Sequence, residues 1–403
     1  MSREIVVTDD FFPKVGGAHL WLYETYRRWP TPVTVLTRAA ADTQAAEAFD
    51  RADHGAVRVL RSLPAVRDIN LLSRACRAAF GTAAALLGTL AGSERANFHC
   101  LRAFPEGFCG LLAKLRRPRA RRLIVYAHGE EILVARSSRQ LRVIAGLVYR
   151  FADLVIANSR NTESLVKALC PRARVVCIHP GVDAGAFARS PEEIAAFRRT
   201  WGWPQDTVIV STVARMEPRK NQAAVIRALH ALRQSGLPVA YVCGGDGEER
   251  ARLMSLAEEL GLSEWVRFPG VLSDSDKVLT FAASDLHAMP SIRHGEMIEG
   301  FGIVFLEAAA AGIPSVCGES GGQREAVQNR ATGLVVDGSD LAAVTEAIRL
   351  LASDPSVRSR MGALAKEHAR QHDWTKVSAA TRAAVEACAH GRSAGTLTGF
   401  EPI

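Results

Sequence analysis

Short β-branched runs alternate with longer stretches of helical periodicity along the chain. Strands are predicted in the first half at 4–7, 33–37, 57–60, 123–127, 154–159 and 175–179, and in the second half at 208–214, 239–245, 266–270, 286–290, 314–318 and 333–336. Strands that alternate with helices predict an α/β protein with parallel sheets built from βαβ units. The units are too numerous for one small sheet.

The pattern breaks near FRRTWGWPQD (197–206), where charge, tryptophan, glycine and proline precede a fresh strand. We therefore expect two doubly wound domains with a cleft between them, and ligands beyond the carboxyl ends of the strands. We predict an N-terminal domain at 1–183, a linker at 184–206 and a C-terminal domain at 207–372. A C-terminal helix at 373–390 is expected to pack back on the N-terminal domain, and 391–403 is expected to be a loose tail.

Composition narrows the class of protein. The chain has 403 residues, 48% of them hydrophobic, with a formal net charge of +8. A basic balance suits phosphorylated substrates, an anionic membrane surface or nucleic acid. Because the positive charge is dispersed and the sequence shows no motif for recognising nucleic-acid bases, we do not expect nucleic-acid binding. The basic run at 114–122 is ordinarily a solvated loop, and peripheral contact with an anionic membrane is the sharper interpretation.

Cysteine usage and hydropathy indicate a cytoplasmic location. The eight cysteines lie far apart without a CxxC pair, which is typical of reduced core thiols. The first residues carry no apolar signal core. The most apolar run, 78–92, is shorter than the about 18 residues that a span requires, so we expect a buried or surface-lying helix. With a lipid acceptor, we expect the protein to act at the inner face of the membrane.

Three cations follow the first strand of the second half. Arg215, Arg219 and Lys220 lie in a turn that precedes a helix. They would hold a diphosphate by charge-assisted hydrogen bonds, although a solvated turn explains them equally well. The next strand leads into the glycine-rich turn 242–249, which lacks the dinucleotide spacing. That turn is either a tight connection or a close backbone approach to a ligand.

The stretch EGFGIVFLEAAAAGIP (299–314) begins as a loop and continues as an apolar helix. Glycines in its first residues predict a helix from near Ile303 to Gly312. The free N–H groups at 302–304 would form an anion site. Glu307 lies about one turn further along, and a buried carboxylate there needs partners such as ribose hydroxyls.

Six motifs, in order, resemble those of GT-B glycosyltransferases of the retaining family 4 type. They are FFPKVGG, HGEE, ARMEPRKNQ, GGDGEE, VRFPG and EGFGIVFLEAAAAGIPSV, and they span nearly the whole chain. The resemblance implies two Rossmann-like domains that face each other across a cleft. It also implies transfer of a hexose, with retention, from a UDP- or GDP-sugar to a hydroxyl of a glycan, glycolipid or small glycoside.

The resemblance further implies roles for single residues. Arg215 and Lys220 would hold the donor diphosphate, Glu307 the ribose hydroxyls and Glu299 the donor hexose. His128 would point at the transferred sugar or the acceptor; without the resemblance, a satisfied core histidine is preferred. The catalytic group would thus be Glu299, His128, Lys220 and Arg215. Further donor contacts would come from Gly16, Gly17, Arg267 at the base, Phe301, Gly302, Ile303 and Val304.

One feature departs from this pattern, and a second has to be distinguished from a metal site. The loop 292–298 is longer than in most of the family, although mannosyltransferases of phosphatidylinositol mannosides share such a loop. Asp274 and Asp276 form a D-x-D triplet, which can hold a divalent cation in other transferases. An N-cap at Ser273 or Asp274 explains the triplet better. We expect no cofactor and no catalytic metal, because Arg215 and the helix N-terminus would supply positive charge with Lys220.

Other functions stay open at this point. A GT-B epimerase or phosphorylase, or a non-catalytic nucleotide-sugar-binding partner, would share the fold. The sequence does not specify the donor, the acceptor or the oligomeric state.

Overall fold

The computed structural model describes residues 2–13, 16–65 and 73–389. The chain divides into two compact units. The first contains Met1–Pro180 with Trp374–Ile403, and the second contains Gly181–Asp373. The predicted tail at 391–403 lies outside the described residues.

The first unit contains a seven-stranded parallel sheet in the order β3-β2-β1-β4-β5-β6-β7. Its strands are β1 (Arg3–Val7), β2 (Val33–Thr37), β3 (Val57–Arg61), β4 (Ala96–Cys100), β5 (Arg121–Ala127), β6 (Leu154–Ala157) and β7 (Val175–Cys177). Its connecting helices are α1 (Gly17–Tyr26), α2 (Thr43–Arg51), α3 (Arg74–Ala91), α4 (Phe108–Leu115), α5 (Glu130–Ser137), α6 (Arg139–Phe151) and α7 (Arg160–Leu169).

The second unit contains a six-stranded parallel sheet in the order β10-β9-β8-β11-β12-β13. Its strands are β8 (Val208–Val213), β9 (Val239–Gly244), β10 (Val266–Gly270), β11 (Leu286–Met289), β12 (Ser315–Gly318) and β13 (Gly333–Val336). Its helices are α8 (Pro191–Thr200), α9 (Gln222–Gln234), α10 (Arg250–Glu259), α11 (Asp274–Ala282), α12 (Ile303–Ala311), α13 (Gln323–Ala326), α14 (Leu341–Ser353) and α15 (Pro355–Gln371).

The chain returns to the first unit in its last described helix, α16 (Trp374–Ala389). This helix packs on α1, where the Ser378 hydroxyl donates to the Thr25 carbonyl at 2.8 Å. The segment 184–206, interpreted from sequence as a linker, contains a 3₁₀ turn and the helix α8, and it belongs to the second unit.

Buried faces explain the helices that flank each sheet. In α3, Phe80, Ala84 and Leu87 are buried in the core of the first unit, so the apolar run at 78–92 is a packed helix as expected. Among the described residues, no helix is both long and apolar enough to cross a membrane.

The order of strands reverses once in each sheet. In the first unit the reversal lies between β1 and β4, and in the second it lies between β8 and β11. Loops at the carboxyl ends of two such strands diverge to opposite faces and leave a crevice where ligands bind. This topology makes the loops after β8 and β11 the first place to look for a site in the second unit.

Candidate functional site

A cluster of charged side chains lies where the loops after β8 and β11 meet. The Lys220 ammonium donates to Oε2 of Glu299, and the Arg219 guanidinium reaches the same oxygen at 3.0 Å. All three side chains are buried. The Arg219 carbonyl also accepts the N–H of Ile292 at 2.9 Å, which ties the two loops together through their backbones.

A second carboxylate extends the cluster toward solvent. Glu217 pairs with Arg219 at 3.0 Å through one oxygen and with Arg215 at 2.7 Å through the other. The side chain of Arg215 is 72% exposed, whereas that of Arg219 is 6% exposed. Three cations therefore share two carboxylates, and the cluster keeps one net positive charge with an exposed guanidinium at its outer end.

Opposing effects set the pKa values at the centre of the cluster. Burial raises the pKa of Glu299, but the charges and hydrogen bonds of Lys220 and Arg219 outweigh it and hold the pKa below its usual value. Burial lowers the pKa of Lys220, and the charge of Glu299 offsets part of that effect. Glu299 is therefore a carboxylate at neutral pH.

The helix α12 begins and ends at the positions predicted from sequence. Gly302 is its N-cap with φ 90°, and Gly312 is its C-cap with φ 82°. No side chain caps the N-terminus, so the N–H groups of Ile303 and Val304 are presented as an anion site would require. The side chain of Phe301 is buried in the core and leaves its backbone as the part available to a ligand.

Glu307 has a partner that the sequence did not reveal. Lys277 of α11 donates to Oε1 of Glu307 at 2.7 Å. Burial lowers the pKa of Lys277, but the charge of Glu307 outweighs it and the net shift is upward. The carboxylate predicted to hold ribose hydroxyls is thus buried, and the charge of Lys277 balances its own charge before any ligand binds.

The D-x-D triplet takes part in capping α11. The Ser273 hydroxyl accepts the N–H of Asp276 at 3.1 Å, which confirms the N-cap interpretation. The Asp274 side chain is fully exposed and lies 3.7 Å from Lys277.

Glycine-rich turns support the backbone on both sides of the cluster. A Cβ at Gly245 would overlap the carbonyl oxygen of Ala214, and one at Gly247 would lie 2.8 Å from the Met216 nitrogen. The close approach at turn 242–249 is therefore to the backbone of the Arg215 loop, as in a tight connection, and an approach to a ligand stays a prediction. On the other side, a Cβ at Gly321 would overlap the carbonyl oxygen of Glu299.

The long loop after β11 folds on itself. His294 and Met297 exchange backbone hydrogen bonds of 3.0 and 2.9 Å. Arg293 and His294 are exposed, and the Arg293 guanidinium donates to the Gly295 carbonyl at 2.9 Å. Ile298, at the end of the loop, is buried and leads directly into Glu299.

Arg267 does not join the other donor-site candidates. Its guanidinium donates to the carbonyls of Glu264 at 3.0 Å and Trp201 at 3.4 Å, and it lies 5.2 Å from the centre of the Trp203 ring. These partners precede β10 and β8, at the amino ends of the strands. The guanidinium is thus held at the opposite end of the sheet from the loops that carry Lys220 and Glu299, and its predicted contact with a base stays a prediction.

His128 lies in the first unit, directly after β5. Its ring Nε2 contacts the Leu101 carbonyl at 2.9 Å, and its backbone N–H donates to Glu131 at 2.7 Å. A carbonyl can only accept, so Nε2 carries the proton and Nδ1 is the acceptor nitrogen. Burial lowers the pKa of His128 to about 4, which keeps the ring neutral at pH 7.

Gly16 and Gly17 also lie in the first unit. Gly16 is the N-cap of α1, and Gly17 is its first residue. A Cβ at Gly16 would lie 3.3 Å from the His19 ring, so a larger residue would crowd the start of the helix. These glycines provide an uncapped helix N-terminus, which is the local structure that a phosphate contact needs.

Two family descriptions match the chain, one for each unit. Residues 15–185 match Glycosyltransferase Family 4, and residues 193–368 match Glycosyl transferases group 1. The GDP-mannose-dependent alpha-(1-6)-phosphatidylinositol monomannoside mannosyltransferase of Mycolicibacterium smegmatis is 34% identical over 92% of this chain and 94% of its own. The GDP-mannose-dependent monoacylated alpha-(1-6)-phosphatidylinositol monomannoside mannosyltransferase of Corynebacterium glutamicum is 30% identical over 93% of this chain and 94% of its own.

Solved structures support the fold. The Anabaena protein HepE in complex with UDP and glucose matches with a TM-score of 0.79 at 22% identity, over 96% of this chain and 100% of its own. The two parallel sheets are those of a GT-B glycosyltransferase, and the relatives support a nucleotide sugar as donor and a glycan or glycolipid as acceptor. The chain belongs to glycosyltransferase family 4, the group 1 glycosyltransferases.

Proposed function

We propose that this chain transfers mannose from GDP-mannose to a hydroxyl of a phosphatidylinositol mannoside or a closely related glycolipid. The observation that carries the proposal is the buried cluster of Lys220, Arg219 and Glu299 beside the N-terminus of α12. Relatives with this donor and this class of acceptor match nearly the full length of the chain. The long loop after β11 is the feature that the resemblance associates with such enzymes.

We further propose that the reaction retains the anomeric configuration and needs no metal ion. Lys220, the exposed guanidinium of Arg215 and the N–H groups of α12 would stabilise the negative charge that develops on the leaving diphosphate. Glu299, held as a carboxylate by two cations, would orient a hydroxyl of the transferred sugar. We assign no carboxylate of the described residues as a covalent nucleophile, so we favour front-side displacement, in which the leaving phosphate helps to take the acceptor proton.

His128 would contribute as a neutral hydrogen-bonding group. Its Nδ1 is available as an acceptor because Nε2 is held by the Leu101 carbonyl. A neutral ring at pH 7 could accept a hydrogen bond from a sugar hydroxyl without adding charge. We place the protein in the cytoplasm on the support of its eight cysteines, six of which are buried as core residues.

The experiment that tests the proposal has two steps. First, the melting temperature is measured with GDP-mannose, UDP-glucose and UDP-N-acetylglucosamine, each with and without EDTA. We expect a rise with GDP-mannose that EDTA does not change, because a ligand bound only to the folded state stabilises it. A larger rise with a UDP-sugar would overturn the donor, and loss of the shift with EDTA would overturn metal independence.

Second, labelled mannose transfer is measured on phosphatidylinositol monomannoside, and the product is digested with an α-mannosidase. Transfer to the lipid with complete digestion is expected for retention, since the donor is the α-anomer. Release of mannose phosphate without an acceptor would indicate a phosphorylase instead.

A further inference from the structure

Exposed apolar side chains are concentrated in one part of the first unit. Large hydrophobic residues that are exposed occur at eleven positions of the described chain, and five of them lie between residues 115 and 151. Four of these five, Leu115, Val143, Leu147 and Phe151, come from the end of α4 and from α6. Isolated exposed residues need no explanation, but a group on neighbouring helices does.

The helix α6 has two apolar faces. Ile144 and Val148 are buried against the core of the unit. Val143, Leu147 and Phe151 are spaced four residues apart and form a second stripe, with 55%, 46% and 50% of their surfaces exposed. The core accounts for the first face only, so the second face is not explained by folding.

The end of α4 lies beside the end of this stripe. The Lys114 ammonium donates to the Phe151 carbonyl at 2.9 Å and pairs with Asp153 at 2.6 Å. Leu115, which is 60% exposed, and the basic segment that follows are thereby held next to α6. We call the surface formed by Leu115, Val143, Leu147, Phe151 and the exposed arginines around them the α6 face.

The α6 face is strongly positive. Neither 114–122 nor α6 contains a carboxylate. Arg116, Arg117 and Arg119 are exposed in the first segment, and Arg139, Arg142 and Arg150 are exposed in the second. Arg121, by contrast, is buried and donates to the Ala113 carbonyl at 2.7 Å. Three of the six cations in 114–122, namely Lys114, Arg121 and Arg122, thus have partners within the protein. The other three belong to this surface.

We propose that the α6 face docks on the surface of an anionic phospholipid bilayer. Apolar side chains flanked by arginines are the combination that binds such a surface, because the apolar groups enter the acyl boundary while the cations meet the headgroups. A second copy of this chain fits less well, since two such faces would bring twelve exposed arginines together. The choice of a membrane as partner rests in part on the glycolipid acceptor proposed above.

The test measures flotation of the full chain with vesicles of phosphatidylcholine and phosphatidylglycerol, against vesicles of phosphatidylcholine alone. We expect binding to the anionic vesicles only, reduced by high salt. Leu147→Gln should weaken it by about tenfold, because a large apolar side chain no longer enters the bilayer. Leu364→Gln is the matched control, since Leu364 is a helical leucine of the second unit with 48% exposure.

A second pair of variants tests the contribution of charge to vesicle binding. Arg142→Ser should weaken binding to the anionic vesicles several-fold, and Arg360→Ser, an exposed arginine of α15, should not. Equal binding by the wild type and Leu147→Gln would overturn the proposal, as would no binding by the wild type. A dimer without lipid that Leu147→Gln dissociates would assign the face to a second copy instead.

Failure of this proposal is distinguishable from failure of the proposed function. The melting-temperature shift with GDP-mannose needs no lipid and should be the same in Leu147→Gln and wild type. A retained shift without vesicle binding removes the docking surface alone. Vesicle binding without a shift from any nucleotide sugar removes the proposed donor alone.

Discussion

Glu299 has two cationic partners, and this limits the structural cost of removing one of them. In Lys220→Met, Arg219 remains 3.0 Å from the carboxylate, so the buried charge is not left alone. We expect turnover to fall by about 10²–10³-fold, since a cation at the leaving group acts mainly in the transition state. Steady-state kinetics with GDP-mannose and a melting curve of each protein would measure both effects.

The exposed Lys366→Met in the same unit controls for the loss of a lysine. A turnover within a few-fold of wild type in Lys220→Met would remove Lys220 from the diphosphate site.

Lys277 offers a test of donor binding separate from the chemistry. In Lys277→Met, Glu307 loses its 2.7 Å partner and presents an uncompensated charge to an anionic donor. We expect the KM for the donor to rise about tenfold with little change in kcat, because the substitution affects ground-state and transition-state binding equally. Lys277→Arg should restore the KM. A fall in kcat at unchanged KM would contradict this role.

Burial of His128 makes the folded protein sensitive to acid. The folded pKa is about 4, whereas an unfolded histidine titrates near pH 6.5, so between these values only the unfolded state takes up the proton. The contribution to stability is complete above about pH 6.5 and is lost as the pH falls toward 4. We expect His128→Asn to lose less stability than wild type between pH 7 and pH 4.5, measured by urea unfolding.

Equal pH slopes in the two proteins would show that the folded ring takes up a proton as readily as the unfolded one, and would contradict the lowered pKa. His287, which burial also gives a pKa of about 3, is present in both proteins and does not affect the comparison.

The chemistry-bearing residues were predictable, and their partners were not. Glu299 and Glu307 could be singled out by their spacing around the glycines of 299–314, and Lys220 by its place in the turn after a strand. The pairing of Glu307 with Lys277 depends on how α11 packs against α12, and nothing in the local sequence specifies it. Glu217 carries a weak signal, since it is the single acid among the three cations of its loop.

At the scale of elements, all twelve predicted strands are present, and within the part of the chain that the structure describes one further strand was missed. β4, with the sequence ANFHC, lies beside β1 near the middle of its sheet. Its polar residues break the apolar pattern, but they are buried in a network around Glu4. Asn97 donates to Glu4 at 3.0 Å, and His99 contacts it at 2.7 Å. A search for hydrophobic runs therefore misses this central strand, because several of its buried side chains are polar and bond across to the neighbouring strand.

The start of α12 depends on a glycine, because Gly302 has a positive φ and no space for a Cβ. In Gly302→Ala, the new Cβ would lie 2.6 Å from the buried Phe305 ring, at a φ of 90°. We expect a loss of about 2–4 kcal/mol in stability, from backbone strain and overlap together, and a loss of activity. Chemical denaturation would measure the first, and mannose transfer the second.

Gly236→Ala is a close control. Gly236 has a φ of 87°, and nothing lies within 4 Å of the new Cβ. It should show the backbone strain alone, about 1 kcal/mol, and keep its activity. Equal losses in the two variants would mean that Phe305 yields, and that the crowding at Gly302 contributes nothing.

At the scale of the whole molecule, the two units divide the candidate residues. Gly16, Gly17 and His128 belong to the first unit, and the charged cluster with α12 belongs to the second. The matched families follow the same division, at 15–185 and 193–368. Sequence periodicity predicted two α/β sheets, and the C-terminal helix expected at 373–390 to pack back on the N-terminal domain corresponds to α16, which belongs to the first unit.

This division predicts where a nucleotide alone should protect the chain. GDP carries the diphosphate and the ribose but not the transferred mannose, so its contacts should fall on residues of the second unit. In hydrogen exchange followed by mass spectrometry, we expect GDP to slow exchange at 214–221 and 299–305, because bound phosphate would order the cationic loop and the first turn of α12. GMP, which lacks the second phosphate, should protect 299–305 less. Protection by GDP confined to peptides around His128 would place the nucleotide in the first unit and would remove the cluster at Lys220 and Glu299 as the donor site.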